Sequence, residues 1–262
     1  MATMAVSPYE RLDVYRASVE FARFAHDVAT VWEPSLAVKD HLLRASESIV
    51  MNLAIGADGD TPRHVVHLDY ALGSALECAA CLDIAGAKGL LAGTDIQASG
   101  KFQLWRVANM LVGLRRTRRN QVREGDEEDG YSWEPGQKHG GRPPFFAHER
   151  LDVYQVAIQF VTWLTQHPPT HAGASRDAHK IDVLATGMVL NIVEGNGRFS
   201  VKDQARFLQT AHDATIRVSA YLDLVSARRG WPAGDPLAGK QLLRRVKTML
   251  VGLLAHCRGE GY

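Results

Sequence analysis

The sequence predicts an all-α protein made of two tandem, up-down antiparallel four-helix bundles joined by a linker. Three observations lead to this prediction. Segments of the first half recur in the second half at one constant offset, apolar residues recur every three or four positions, and no stretch alternates apolar and polar residues as a β-strand does. We expect the first bundle in residues 1–120, a linker rich in Gly, Pro and acidic residues in 121–147, and the second bundle in 148–262.

The internal repeat is visible in three pairs of segments, each pair separated by 139 residues. Three matches in one register indicate a tandem duplication, so each half should form the same helical unit. The pairs are Arg11–Tyr15 with Arg150–Tyr154, Asn52 with Asn191 and the residues that follow each of them, and Met110–Leu114 with Met249–Leu253.

The first helix of each unit carries apolar residues in two rows on nearly opposite sides. In the first unit, one row contains Leu12, Tyr15 and Val19, and the other row is two residues out of phase with it. A helix that is apolar on two sides is buried on two sides, so one row should face its own bundle and the other a neighbouring bundle. We assign the contact with that neighbour, in the same chain or in another, to Val14, Phe21, Phe24, Val28, Val153, Phe160 and Trp163.

The capping residues and helix breakers place the ends of the helices. Ser7, Pro8 and Glu10 are suited to open the first helix as N-cap, first and third residue, and Pro34 lies beyond its end. Four helices with short connections in each half favour the up-down arrangement. The other helices are expected at about Leu36–Gly56, Pro62–Gly89, Lys101–Asn120, His148–Gln166, Ala172–Glu194, Val201–Arg229 and Pro236–Arg258.

A sharp turn is predicted between the second and third helices of the second unit, with Ser200 as the cap of the helix that follows. The two glycines of the turn are expected to adopt the left-handed backbone that ends many helices. Its asparagine and glutamate need polar partners, and its arginine is close enough across the turn to be one. We interpret the turn as structural rather than as a ligand site. The residues assigned to it are Asn191, Glu194, Gly195, Gly197 and Arg198.

Composition excludes several classes of protein. Hydrophobic residues make up 46% and charged residues 23% of the chain, which is typical of a globular protein. The net charge of +1 lacks the basic excess of a dedicated nucleic-acid binder. Three cysteines cannot form a disulfide framework, and we found neither a signal-peptide pattern nor an apolar run of about 20 residues. A cytoplasmic location is therefore expected.

The motifs together resemble a known family. They are the Arg-Leu-Asp-Val-Tyr start of each unit, the turn at 191–198, the segment Ala71–Glu77 on the third helix, and Met-Leu-Val-Gly-Leu on the fourth. This pattern is similar to the four-helix-bundle proteins encoded in intervening sequences of bacterial 23S ribosomal RNA genes. That family includes the accessory variability determinant of diversity-generating retroelements. The resemblance implies a non-enzymatic, oligomeric helical protein, and in the retroelement branch a ring of bundles binds a reverse transcriptase and nucleic acid.

No motif gives positive evidence for catalysis. Cys78 and Cys81 form a Cys-x-x-Cys pair inside a predicted helix, which we interpret as small buried thiols, with a redox or metal-binding role as the alternative. His67 lies on the same helix as Cys78 but about 16 Å away along its axis, too far to share a zinc ion within one helix. Glu-x-x-His pairs, a P-loop, Gly-x-Ser-x-Gly and His-Glu-x-x-His are absent from the sequence. We therefore expect no catalytic residue, no metal and no cofactor.

Basic residues cluster at or near the ends of three helices. Lys and Arg near a helix C-terminus are favoured by the helix dipole and by solvation, so these clusters are either solvated helix ends or a patch that binds the phosphates of RNA or DNA. The residues assigned to such a patch are Arg115, Arg116, Arg118, Arg119, Arg228, Arg229, Arg244, Arg245 and Lys247.

The sequence thus predicts an adaptor in a nucleic-acid-associated complex, of the type of a reverse-transcriptase accessory protein. The alternative is a structural scaffold that assembles with itself or with other proteins and does not bind nucleic acid. Self-association or packing between the repeats is expected in both cases. Neither a membrane nor a small-molecule substrate is expected as a partner.

Overall fold

A computed structural model describes residues 7–59, 61–91, 93–122, 146–170, 172–197, 200–231 and 235–259. Within these ranges the chain is all-helical, with eight α-helices, two short 3-10 helices and no strand. The α-helices are α1 Asp13–Thr30, α2 Ala37–Ala57, α3 Pro62–Ala87, α4 Thr94–Val122, α5 Asp152–Gln166, α6 Ala174–Asn196, α7 Val201–Ala227 and α8 Asp235–Cys257.

The starts of α1, α4 and α5 differ from the sequence prediction. Ser7 donates its backbone N–H to the Glu10 carboxylate at 2.7 Å, but this contact forms the 3-10 helix Pro8–Arg11, and α1 begins only at Asp13. A second 3-10 helix, Ala147–Arg150, precedes α5 in the same way. Helix α4 begins at Thr94, well before the predicted start, so Gly100 lies inside a helix and not in a turn.

The helices fall into two sets by their contacts. In the first set, α1–α4, helix α1 packs against α2 and α4, and α3 packs against the same two helices. In the second set, α5–α8, helix α5 packs against α6 and α8, and α7 packs against the same two. The two sets meet where α3 contacts α5 and α6 and where α2 contacts α6. Residues 123–145, which include most of the predicted linker, lie outside the described ranges; Phe146 at its end is buried.

One contact recurs at the same place in both sets. The ring of Phe24 on α1 lies over Gly100 of α4, and the ring of Trp163 on α5 lies over Gly239 of α8. Phe24 and Trp163 are 139 residues apart, and so are Gly100 and Gly239. A Cβ atom on Gly100 would lie 2.5 Å from Cε1 of Phe24 and 2.8 Å from Leu82, and one on Gly239 would lie 2.6 Å from Cη2 of Trp163. The glycines are therefore required by close approach of an aromatic ring.

Alanine at these glycines should destabilise the protein, although alanine usually stabilises a helix relative to glycine. We expect Gly100→Ala and Gly239→Ala each to cost about 1–3 kcal/mol, because the buried ring must move. Gly113→Ala and Gly252→Ala are matched controls on the same two helices. A Cβ atom there meets nothing within 4 Å, so these controls should gain about 0.5–1 kcal/mol. Urea unfolding followed by circular dichroism measures the free energy of unfolding of all four variants. If the two alanine variants of one helix changed it in the same direction, the proposed packing would be contradicted.

Helix α6 ends at Asn196 and α7 begins at Val201, and the two glycines assigned to the turn between them have a different role from the one predicted. Gly197 has φ −82°, and Gly195 lies within the last turn of α6, so neither adopts the left-handed backbone. Instead, a Cβ atom would lie 3.1 Å from Leu208 at Gly195 and 3.0 Å from Leu76 at Gly197. The two glycines thus allow neighbouring helices to approach closely.

The polar residues of that turn have their own contacts. Asn191 donates Nδ2–H to the backbone carbonyl of Gly187 at 2.7 Å, and Ser200 accepts from the backbone N–H of Asp203 at 3.4 Å as the cap of α7. Glu194 is half-buried on α6. Arg198, the predicted partner across the turn, lies outside the described residues.

A buried polar cluster joins the two sets. Tyr154 of α5 donates its hydroxyl hydrogen to Oδ2 of Asp83 on α3 at 2.7 Å. The ammonium group of Lys101 on α4 lies 2.7 Å from Oδ1 of Asp83 and 2.9 Å from Oε1 of Glu149. These charged side chains are at most 14% exposed. The contact between the sets is thus specified by charge and hydrogen bonds, which sequence periodicity does not register.

A second polar contact lies at the same end of α3, directly after its last residue. Lys88 forms an ion pair with Asp182 of α6, and Asp182 also accepts the backbone N–H of Ala37 at 3.1 Å. His179 of α6 lies 3.0 Å from the carbonyl oxygen of Ser35 through Nδ1. The contact between the sets is therefore fixed near the C-terminal end of α3 by several directional interactions.

Helix α3 is the most enclosed helix of the first set. Among the described helices, it alone is long and apolar enough to cross a bilayer by length and composition, contrary to the sequence expectation that no such run exists. Of its most apolar window, 56% is buried inside the protein, and the core helix of a soluble protein has the same properties.

Candidate nucleic-acid interface

Most of the arginines at the end of α4 interact with other helices of the first set. Arg115 forms a largely buried ion pair with Asp69 of α3. Burial raises the pKa of Asp69, and Arg115 and Arg119 act against this rise. Arg118 donates Nη2–H to the backbone carbonyl of Ala57 at 3.1 Å. Arg115 and Arg118 thus tie α4 to the other helices of its set.

The two basic residues at the end of α7 differ in whether their side chains have a partner. Arg228 donates Nη1–H to both carboxylate oxygens of Asp177 on α6, at 2.8 and 2.9 Å, and Tyr221 donates to the same carboxylate at 2.9 Å. The Asp177 carboxylate is 2% exposed, so Arg228 neutralises a buried charge. Arg229 is exposed and has φ 60°, and its side chain makes no ion pair or hydrogen bond with any described residue.

The outer side of α8 is basic and accessible. Arg244, Arg245 and Lys247 are exposed, and none of them pairs with a described residue. Lys240, one turn earlier, pairs with Asp223 of α7. After Asp235, its first residue, α8 contains no Asp or Glu, so no carboxylate of this helix lies within two turns of Arg244, Arg245 and Lys247. Arg116 on α4 is likewise exposed without a partner among the described residues.

The structure therefore divides the predicted phosphate-binding residues into two groups. Arg115, Arg118, Arg119 and Arg228 take part in contacts within the protein. The accessible members whose side chains make no ion pair or hydrogen bond with a described residue are Arg116, Arg229, Arg244, Arg245 and Lys247. Helix α8 carries three of these within one turn, which makes it the most suitable surface for a polyanion.

The residues predicted to contact a neighbouring bundle lie in the interior of each set. Val14, Phe21, Val153, Phe160 and Trp163 are buried, and Phe24 and Val28 are half-buried. Phe24 packs on Gly100 and Trp163 on Gly239, each within its own set. On α5, the opposite row contains Tyr154, which contacts Asp83 of α3 in the first set. Both rows of α5 are apolar, so periodicity alone did not identify which row faces the other set.

The Cys-x-x-Cys pair is buried in α3. Cys78 and Cys81 are both 0% exposed, and they are free thiols. Burial raises the pKa of each thiol well above its ordinary value, with neighbouring negative groups such as Glu77 acting in the same direction. Both groups are thus protonated at neutral pH and inaccessible to reagents in the folded protein.

Comparison with protein families matches residues 10–113 to the 23S rRNA-intervening sequence protein. The match covers α1 to α3 and most of α4, so the region that is similar to this family coincides with the first set. No curated protein and no solved structure matches the chain significantly.

Proposed function

We propose that this chain is a non-enzymatic adaptor that binds the backbone of RNA or DNA through α8, as part of a complex with a reverse transcriptase of a retroelement. The observation that carries the nucleic-acid part is the run of exposed cations formed by Arg244, Arg245 and Lys247 on a helix whose only acidic residue is Asp235 at its start. The reverse transcriptase enters through the resemblance to the retroelement branch of the family.

We also propose that both sets are four-helix bundles that arose by tandem duplication. In each set every helix packs against two others in the same cyclic order. The aromatic residue that covers a glycine occurs at equivalent positions, Phe24 with Gly100 and Trp163 with Gly239. Since the family match covers only the first set, the second set is a diverged copy in this proposal.

Charge reversal on α8 tests nucleic-acid binding. We expect the wild-type chain to bind a labelled single-stranded RNA and a labelled DNA duplex at low salt, with affinity falling steeply as NaCl rises, because backbone binding releases counterions. The triple variant R244E/R245E/K247E should make the slope of log affinity against log salt shallower by about 2–3. Fluorescence anisotropy across a salt series gives both the affinity and the slope.

The control is R23E/R63E/K180E, which changes the total charge equally at exposed cations on α1, α3 and α6. It should retain most of the wild-type salt slope if α8 is the binding surface. The proposal would be refuted if the salt slope decreased equally in the two variants, or if the wild type did not bind RNA or DNA at low salt.

The second candidate function is a self-assembling or protein-binding scaffold without nucleic acid. It is favoured by large apolar side chains that remain exposed in the first set, including Met51 at 65% and Val19 and Ile55 at 44% each. Light scattering of the same wild-type samples distinguishes the two functions. Concentration-dependent association together with absent RNA and DNA binding would support the scaffold.

A further inference from the structure

Three side chains that can each ligate a metal ion meet where α3, α4 and the 3-10 helix before α5 come together. One oxygen of Asp83, one nitrogen of His148 and one oxygen of Glu149 all lie within 4.8 Å of one another. Asp83 belongs to α3 of the first set, whereas His148 and Glu149 precede α5 of the second. The cluster is therefore complete only when the two sets are in contact.

His148 is the unusual member of this cluster. It is 1% exposed, and neither Nδ1 nor Nε2 has a hydrogen-bond partner among the described residues. The rings of Phe146 and Tyr154 pack against it, with centroids 5.8 and 4.8 Å away. Leaving two buried ring nitrogens without partners is costly, and such groups in native proteins call for an explanation such as a bound ion.

The position of His148 suits metal binding. Both of its ring nitrogens are buried, and one of them lies within 4.8 Å of an oxygen of each carboxylate. Imidazole ligates a metal ion through the lone pair of a neutral ring nitrogen.

A cation already lies in this cluster. The ammonium group of Lys101 is 2.7 Å from Oδ1 of Asp83 and 2.9 Å from Oε1 of Glu149. A cavity of about 470 Å³ adjoins the cluster. It is lined by Asp83, Lys101 and Glu149, with Gln97 and Thr162 among its other polar groups. The cavity offers an entry path for an ion and space into which the flexible lysine side chain can move.

We propose that Asp83, His148 and Glu149 form a binding site for a divalent transition-metal ion, which displaces the ammonium group of Lys101 and links the two sets. One imidazole nitrogen and two carboxylate oxygens suit Zn²⁺ or Co²⁺, whereas Mg²⁺ and Ca²⁺ prefer oxygen ligands alone. The site does not depend on the proposed nucleic-acid binding, because none of its ligands lies on α8.

The test uses Co²⁺ as the probe, since its visible absorption reports directly on ligation. The full chain, stripped with EDTA and dialysed, should bind one equivalent of Co²⁺ in titration calorimetry and develop a visible band that Zn²⁺ removes. His148→Ala should weaken binding by about 10–100-fold or more, since it removes a ligand outright. Lys101→Met should tighten binding by roughly tenfold or more, because the competing positive charge is gone.

Two further measurements keep the result interpretable. His26→Gln, at an exposed histidine of α1, should leave the affinity unchanged. The Lys101→Met variant is a gain-of-binding test, which misfolding of His148→Ala cannot imitate. No saturable binding by the wild type, binding unchanged by His148→Ala, or no gain in Lys101→Met would each overturn the proposal.

Discussion

Replacing Phe160 with alanine should lower the free energy of unfolding by about 3–5 kcal/mol, which is typical of the loss of a buried aromatic side chain. Phe160 is 0% exposed in α5, and its ring lies 5.7 Å from that of Trp163. Truncation leaves a cavity beneath Trp163, whose ring also covers Gly239 and cannot move to fill it without losing that contact. Urea unfolding at 25 °C, followed by far-ultraviolet circular dichroism, measures the change.

The same substitution at an exposed phenylalanine serves as the control. Phe102 on α4 is 51% exposed and stacks on Trp105 at 6.1 Å, so Phe102→Ala should cost less than about 1 kcal/mol. A loss at Phe160 as small as that at Phe102 would mean that Phe160 is not in a packed interior. It would then favour the sequence prediction that this side chain contacts a neighbouring bundle.

The all-helical fold could be predicted because its signal is local. Apolar residues three and four positions apart specify helices regardless of what the helices pack against, and capping residues mark most ends to within a few positions. The start of α4 is an exception. It lies at Thr94 rather than near Lys101, so Gly100 is inside the helix, where the ring of Phe24 occupies the space that a side chain would need.

The side of α5 that faces outward could not be predicted from periodicity. Its two rows, one through Phe160 and the other through Tyr154, are both apolar. What separates them is a hydrogen bond from Tyr154 to Asp83, a residue 71 positions earlier in the chain. A signal did exist, because Asp83 is a charged residue within an otherwise apolar part of α3 and requires a buried partner.

For the candidate interface, the sequence identified the basic residues but not their partners. Arg115 and Arg244 both belong to basic clusters on the fourth helix of their half of the chain. Arg115 pairs with Asp69, which lies far away in the chain, whereas the only carboxylate of the helix that carries Arg244 is at its first residue, Asp235. Pairing depends on which helices are neighbours, so only the three-dimensional arrangement separates cations that stabilise the fold from those that can bind phosphate.

Lys101→Met, in metal-free buffer with EDTA, should be about as destabilising as Phe160→Ala, with a loss of about 3–5 kcal/mol. Burial lowers the pKa of Lys101, but Asp83 and Glu149 together raise it above its ordinary value, so the group is charged throughout the neutral range. Methionine keeps an unbranched side chain of similar length while leaving two largely buried carboxylates without the ammonium group between them.

The matched control for this variant is Lys240→Met, which removes a lysine from an ion pair with an exposed partner. Asp223 is 64% exposed and remains hydrated when Lys240 is lost, so the cost should stay below about 1 kcal/mol. Urea unfolding of both variants gives the comparison, and intrinsic tryptophan fluorescence reports whether the two sets separate before they unfold. Equal, small losses of unfolding free energy in Lys101→Met and Lys240→Met would show that water reaches Asp83 and Glu149 in the folded protein. In that case the polar cluster would be a solvated surface of each set, and the contact between the sets would depend on apolar packing of α3 against α5 and α6 instead.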